Sequence, residues 1–75
     1  MSSLSIKDLI QKIGKRIYHL RKESNMTQLD LAVKSEIDER QIQRLENGHT
    51  SPTIKTLLKI ANAFGISLSE LFRFD

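Results

Sequence analysis

The 75-residue chain contains no cysteine and no tryptophan, only one proline and only three glycines. Without cysteine it can form neither a disulfide framework nor a thiolate site for zinc or an iron–sulfur cluster. We therefore expect an intracellular, cytoplasmic protein whose fold is held together by packing or by self-association.

Long apolar runs are absent as well. No segment approaches the roughly 20 apolar residues of a membrane-spanning helix, and the start, Met1-Ser2-Ser3-Leu4, lacks the apolar centre of a signal peptide. We expect no export and no membrane insertion. At this length we expect one domain, 1–75, with no room for a large catalytic cavity.

The charge is modestly positive and unevenly distributed. Twelve Lys and Arg residues against nine Asp and Glu residues give a formal net charge of +3, which mildly favours polyanionic partners. Seven of the basic residues and only three acidic ones lie before or at Ser35, whereas residues 36–50 carry two basic and four acidic residues. The amino-terminal half is therefore the basic one.

Apolar residues in the first third recur at the spacing of a single helix. Ser5 followed by Asp8 predicts its amino-terminal cap, and Asn25 is suited to a left-handed residue at its end. Gly14 lies inside this helix and is equally compatible with close packing and with exposure. Its apolar stripe is Ile6, Leu9, Ile10, Ile13, Ile17 and Leu20.

Four shorter helices are predicted to follow, so the fold class is all-α, a compact five-helix domain without strands. The second helix covers about 28–34 and the third 39–47, with Gln41 completing a capping box at the start of the third. The fifth covers about 67–73 and begins with a capping box that ends at Glu70. Their capping residues are Thr27, Asp38, Thr53 and Ser67.

Residues 27–47 thus form two helices joined by a short turn, the arrangement in which a second helix enters the DNA major groove. On a helical wheel Ile42 and Leu45 point one way, whereas Arg40, Gln43 and Arg44 point the other. Arg pairs with guanine and Gln with adenine through paired hydrogen bonds. The alternative is an ordinary surface helix, which shows the same polar stripe.

An ordered set of residues from about Ile13 to Phe72 keeps the spacing of a known family. The set comprises Ile13-Gly14-Lys15-Arg16-Ile17, Leu20-Arg21-Lys22, Met26-Thr27-Gln28, Leu31-Ala32, Ile42, Arg44-Leu45-Glu46-Asn47-Gly48, Ser51-Pro52, Leu57, Ile60-Ala61 and Phe64-Gly65-Ile66. The chain resembles the Cro/C1-type, or XRE-type, helix-turn-helix family of phage-repressor-like domains. Stand-alone members of this size include Cro-like regulators and restriction–modification controller proteins.

The resemblance implies two kinds of DNA contact. Positions that usually read bases correspond to Glu39, Arg40, Gln41 and Arg44, and the wheel adds Gln43 as a fifth candidate. Phosphate contacts correspond to Gln28 and Thr27, where the exposed amides of a helix start suit an anion. The segment whose backbone lies against phosphates corresponds to Asn47, Gly48, His49 and Thr50.

Other matched positions are structural. Arg21 and Glu46 match a family ion pair between helices one and three, and Ala32 matches a small residue that lets helices two and three pack closely. The sequence departs from the family at Glu36, which occupies a turn position where the family often has glycine. This turn therefore either avoids a positive φ or is strained. A second departure is Leu29, at a usually polar position, which is either an exposed apolar residue or an additional core contact; of the two we expect the core contact.

The third departure is Glu39, a carboxylate in a helix that must approach phosphates. It either accepts from a cytosine amino group or only stabilises the positive helix start.

The carboxyl-terminal tail contains more large apolar residues than one short helix can bury. Leu68 and Leu71 are expected to complete the core. Ile66, Phe72 and Phe74 are predicted to form the interface of a homodimer, which binds two half-sites roughly 34 Å apart.

These observations predict a sequence-specific transcriptional regulator, a homodimer on near-palindromic operator DNA, with RNA polymerase as a further candidate partner. The alternative is a protein-interaction module such as the antitoxin of a toxin–antitoxin pair. An enzyme is not expected, because His19 and His49 have no paired ligand or nucleophile at useful spacing. No cofactor, metal or small-molecule ligand is expected.

Overall fold

A computed structural model describes residues 4–74 of the chain. Within this part the structure contains five helices and no strand, so the predicted all-α class is confirmed. The helices are α1 (Ile6–Glu23), α2 (Gln28–Ser35), α3 (Glu39–Glu46), α4 (Ile54–Phe64) and α5 (Leu68–Leu71).

The helix boundaries differ slightly from those predicted. α2 extends one residue further, to Ser35, whereas α3 ends at Glu46 and Asn47 is its carboxyl-terminal cap. α5 covers only four residues of the predicted 67–73, because Phe72 already serves as its cap. Helix ends are the least determined part of a periodic pattern, since one turn of apolar spacing fits several end points.

The predicted amino-terminal caps are present at every helix. Ser5 Oγ accepts from the Asp8 amide at 3.0 Å, and the boxes at the starts of α2 and α5 are both complete. At α3 the predicted box with Gln41 is wrong, because the Asp38 carboxylate accepts from the Arg40 amide at 2.8 Å instead. An Asp cap can satisfy either of two amides in the first turn, and here it bonds the nearer one.

The capping boxes also affect two acidic side chains. The backbone amide and hydroxyl of Thr27 lower the pKa of Asp30, and the amide and hydroxyl of Ser67 do the same for the pKa of Glu70. Hydrogen bonds to a carboxylate favour its charged form.

The core lies between all five helices. Its fully buried large side chains are Ile17, Leu31, Ile42, Leu45, Ile60 and Leu71. α3 packs against α1 on one side and α2 on the other, while α4 packs against α2 and α5. The burial of Leu71 confirms its predicted place in the core, and Leu68 is half-buried against it.

The structure decides between the alternatives that the sequence left open at Gly14 and at Glu36. Gly14 is buried, and a Cβ there would clash with the carbonyl oxygen of Leu45, so α1 and the end of α3 approach closely. Glu36 has φ +60° in the turn after α2, so this turn is the strained alternative. Asn25 adopts the predicted left-handed conformation with φ +56°.

Candidate nucleic-acid interface

α3 is oriented by its apolar face. Ile42 and Leu45 are 0% and 1% exposed, and this anchors the helix against α1 and α2. The opposite face is therefore turned outward, and Arg40, Gln43 and Arg44 are all exposed. The polar stripe predicted from the wheel is thus presented to solvent.

The structure separates the five predicted base-reading residues into two groups. Arg40, Gln41 and Arg44 line one shallow groove together with Asp38. Gln43 is exposed outside this groove, and Glu39 is half-buried at the start of the helix. The groove therefore brings together three hydrogen-bonding side chains that can reach base edges.

The predicted phosphate-contacting residues lie at the start of α2 and beyond the end of α3. Thr27 is exposed and caps α2, whereas Gln28 is half-buried and its Nε2 donates to Glu46 Oε1 at 3.1 Å. Beyond α3, Asn47 and His49 are exposed, while Gly48 and Thr50 are half-buried.

The chain turns sharply at Gly48, where φ is +71°. The amide of His49 donates to the Arg44 carbonyl at 2.9 Å, which closes the end of α3. Gln11 and Lys15 of α1 line a depression together with Asn47 and Gly48. Sequence reasoning missed Lys15 as a cation beside this segment; the signal was Gly14, whose close packing on α3 brings its neighbours there.

The predicted ion pair between α1 and α3 is present. Arg21 donates to both carboxylate oxygens of Glu46, through Nε at 2.7 Å and Nη2 at 2.9 Å, and the two side chains are 8% and 4% exposed. The hydrogen bond with Glu46 raises the pKa of Arg21 against the opposing effect of burial. A paired, two-point contact of this kind holds α3 at a defined angle to α1.

Leu29 lies on the surface of α2. It is 54% exposed, so it is the exposed apolar residue of the two alternatives, and the expectation of a core position is wrong. The apolar face of α2 is formed by Leu31 and Ala32, and at 100° per residue Leu29 falls to one side of it.

The predicted dimer residues pack partly onto their own fold. Ile66, Phe72 and Phe74 are each half-buried against the core, and the rings of Phe72 and Phe74 are 6.3 Å apart. Two other apolar residues, Ile6 and Ile54, are more exposed, at 67% and 66%, and the sequence did not reveal this.

Both line, with Phe72, a surface that we call the apolar groove. Its residues are Ile6, Leu9, Ile10, Ile13, Ser51, Pro52, Ile54, Leu57 and Phe72. No local pattern could have revealed this groove, because its residues come from three separate parts of the chain.

Two further observations concern residues 4–74 only. They contain no cluster of three acidic, histidine or cysteine residues that could hold a metal ion. None of their helices combines the length and the apolar character required to cross a bilayer.

This combination of five helices, a packed α2–α3 pair and an outward polar face on α3 defines a helix-turn-helix protein. The HTH_3 helix-turn-helix family matches residues 17–71, and the chain belongs to this family. The resemblance noted from the sequence is thereby confirmed.

Similar proteins are known from both sequence and structure. An uncharacterized HTH-type transcriptional regulator, y4dJ of Sinorhizobium fredii, is 33% identical over 85% of this chain and 83% of its own length. The crystal structure of an HTH_3 family transcriptional regulator from Vibrio cholerae has a TM-score of 0.87 at 28% identity. It matches 91% of this chain, which spans 38% of that longer one.

A second similar structure contains DNA. The restriction–modification controller protein C.Esp1396I was crystallised as a tetramer in complex with its natural 35 base-pair operator. It has a TM-score of 0.80 at 36% identity, with 85% of this chain and 84% of that chain covered.

Proposed function

We propose that this protein is a sequence-specific transcriptional regulator that binds a near-palindromic DNA operator as a homodimer, with residues 39–47 in the major groove. The observation that carries the proposal is the outward face of α3. Its inward face is fully buried, so Arg40, Gln41 and Arg44 are held on a rigid element beside one another. Rigid presentation of hydrogen-bonding side chains is what base readout requires.

Within this proposal Arg40 and Arg44 read bases, each able to pair with guanine in the major groove. Gln41 shares their groove, and Gln43 and Glu39 flank it as further candidates. Glu39 at the helix start also stabilises the positive end of the helix.

Phosphates are bound beside this face, by residues at the start of α2 and residues that follow α3, two segments that the Gln28–Glu46 hydrogen bond brings together. Thr27 and Gln28 lie at the start of α2, where helix amides favour an anion. Asn47, Gly48, His49 and Thr50 follow α3, and Lys15 adds a positive charge beside them.

Dimerisation is supported by the apolar groove and its surroundings. Ile6 and Ile54 are about two-thirds exposed next to Phe72, and large exposed apolar surfaces commonly mark interfaces. We therefore extend the predicted interface of Ile66, Phe72 and Phe74 to include Ile6 and Ile54.

The comparisons support regulation rather than another use of the fold. The relatives described above are named as transcriptional regulators or as a controller protein seen with operator DNA. They do not favour the antitoxin interpretation. RNA polymerase is a further partner of such a regulator at its promoter.

The test is a fluorescence-anisotropy titration of the protein with duplex DNA from upstream of its own gene. We expect binding tighter than to a scrambled duplex at about 0.15 M salt, where non-specific dissociation constants are about 10⁻⁴–10⁻⁶ M. Equal affinity for both duplexes would refute sequence-specific regulation through this DNA.

The roles within α3 are tested by alanine substitution. Arg40→Ala and Arg44→Ala should each weaken operator binding by about 1–3 kcal/mol and relax the preference at one base pair per half-site, because each removes a base contact. The measurement is a titration against operators with single base-pair changes. Lys34→Ala is the matched control, since it removes a positive charge from an exposed position of α2 and should leave base preference unchanged. Full discrimination in both arginine variants would contradict the proposed reading face.

A further inference from the structure

The Glu46 carboxylate accepts hydrogen bonds from two different helices. Arg21 of α1 bonds both of its oxygens, and Gln28 of α2 donates from Nε2 to Oε1 at 3.1 Å. The Glu46 side chain is only 4% exposed. This carboxylate therefore joins the first residue of α2 to the last residue of α3.

Glu46 is itself held in place. Its two-point contact with Arg21 prevents rotation of the carboxylate, and Arg21 Nη1 also donates to the Met26 carbonyl at 2.9 Å. Met26 precedes Thr27, the cap of α2. The same guanidinium thus fixes both the acceptor for Gln28 and the turn from which α2 begins.

The chemistry of the amide makes this contact directional. A Gln side chain carries two N–H donors at one end and an acceptor oxygen at the other, whereas a phosphate oxygen only accepts. Gln28 Nε2 donates one of its two N–H groups to Glu46, and this holds the nitrogen end of the amide beside the carboxylate. The second N–H of Nε2 remains for another acceptor. An amide without this anchor would rotate and present its oxygen as well, which repels a phosphate.

We propose that Glu46 is a positioning residue for DNA binding: it orients the Gln28 amide so that the second N–H donates to a DNA phosphate. This inference rests on the proposed function and assigns to a buried acidic residue a part in binding a polyanion. Glu46 makes no contact with DNA in this arrangement, and its effect passes through Gln28.

The test is a double-mutant cycle of Gln28→Ala and Glu46→Gln, measured as the dissociation constant for an operator duplex and for a scrambled duplex. Gln28→Ala alone should weaken binding of both duplexes by about tenfold or more, since a hydrogen bond to a charged group is lost. In the Glu46→Gln background the same deletion should cost about threefold or less, because the neutral amide no longer selects one orientation.

An equal effect of Gln28→Ala in both backgrounds would overturn the inference. A purely structural Glu46 would lower thermal stability without changing the effect of Gln28→Ala, so all titrations are made well below the unfolding temperature of each variant. Lack of discrimination between the two duplexes by the unsubstituted protein would refute the proposed function, and the cycle on scrambled DNA would still test the coupling.

A second measurement uses the unsubstituted chain, in case Glu46→Gln does not fold. The two side-chain amide protons of Gln28 are assigned in ¹⁵N–¹H spectra by their loss in Gln28→Ala. On saturation with DNA, the proton facing Glu46 should keep its chemical shift and the other should move. Movement of both protons, or of neither, would overturn the inference.

Discussion

At the scale of single residues, the backbone strain at Glu36 has a measurable consequence. Its φ of +60° costs a non-glycine residue about 1–2 kcal/mol, and the turn it forms joins α2 to α3. Glu36→Gly should therefore raise the free energy of unfolding by about 1 kcal/mol, the gain being reduced by the greater freedom of glycine in the unfolded chain. Urea unfolding followed by circular dichroism measures it.

Lys34→Gly is the matched control for this substitution. Lys34 lies two residues earlier, exposed and helical, and glycine there should lower stability by about 1 kcal/mol. A loss of stability in both variants would show that Glu36 makes a favourable contact exceeding the strain.

The sequence indicated that the family often has glycine at the position of Glu36. Only the backbone angle shows that the turn is strained and does not avoid a positive φ.

At the scale of helices, the contact of α1 with α3 depends on Gly14. Alanine inside a helix is normally favoured over glycine by about 1 kcal/mol. Here a Cβ would clash with the Leu45 carbonyl and lie 3.2 Å from that of Glu46, and backbone atoms cannot rotate away. Gly14→Ala should therefore lower the free energy of unfolding by about 1–3 kcal/mol, measured by thermal unfolding.

Lys7→Ala is a control on the same helix, at an exposed position where the change should stay within about 0.5 kcal/mol. An increase in stability for Gly14→Ala would mean that α1 and α3 separate without loss, which the short Arg21–Glu46 contacts argue against.

Helix packing also explains why the expectation for Leu29 was wrong. The sequence shows an apolar residue in α2, but it does not show which side of α2 the other helices cover.

At the scale of the whole molecule, the apolar groove is the surface on which a second copy is proposed to pack. Ile54→Asp should convert the dimer to a monomer, because it places a charge in an apolar interface. Since Ile54 is 66% exposed in one copy, helical content should not change. Sedimentation equilibrium measures the assembly, and operator affinity should fall with it because one half-site contact is lost.

Val33→Asp is the matched control. Val33 is 71% exposed on α2 and does not line the groove, so this variant should sediment as the unsubstituted protein does. If Ile54→Asp also sedimented as a dimer, the interface would lie elsewhere on the molecule.

The amino-acid sequence by itself determined the five helices, their caps and the outward face of α3. These features follow from interactions within about four residues along the chain, which periodicity and capping residues report directly. Only the tertiary structure decided the strain at Glu36, the close approach at Gly14, the exposed groove of Ile6 and Ile54, and the bond from Gln28 to Glu46. The contacts among them join residues far apart in the chain, such as Gln28 with Glu46 and Gly14 with Leu45. Their geometry depends on how the helices pack, which no local pattern specifies.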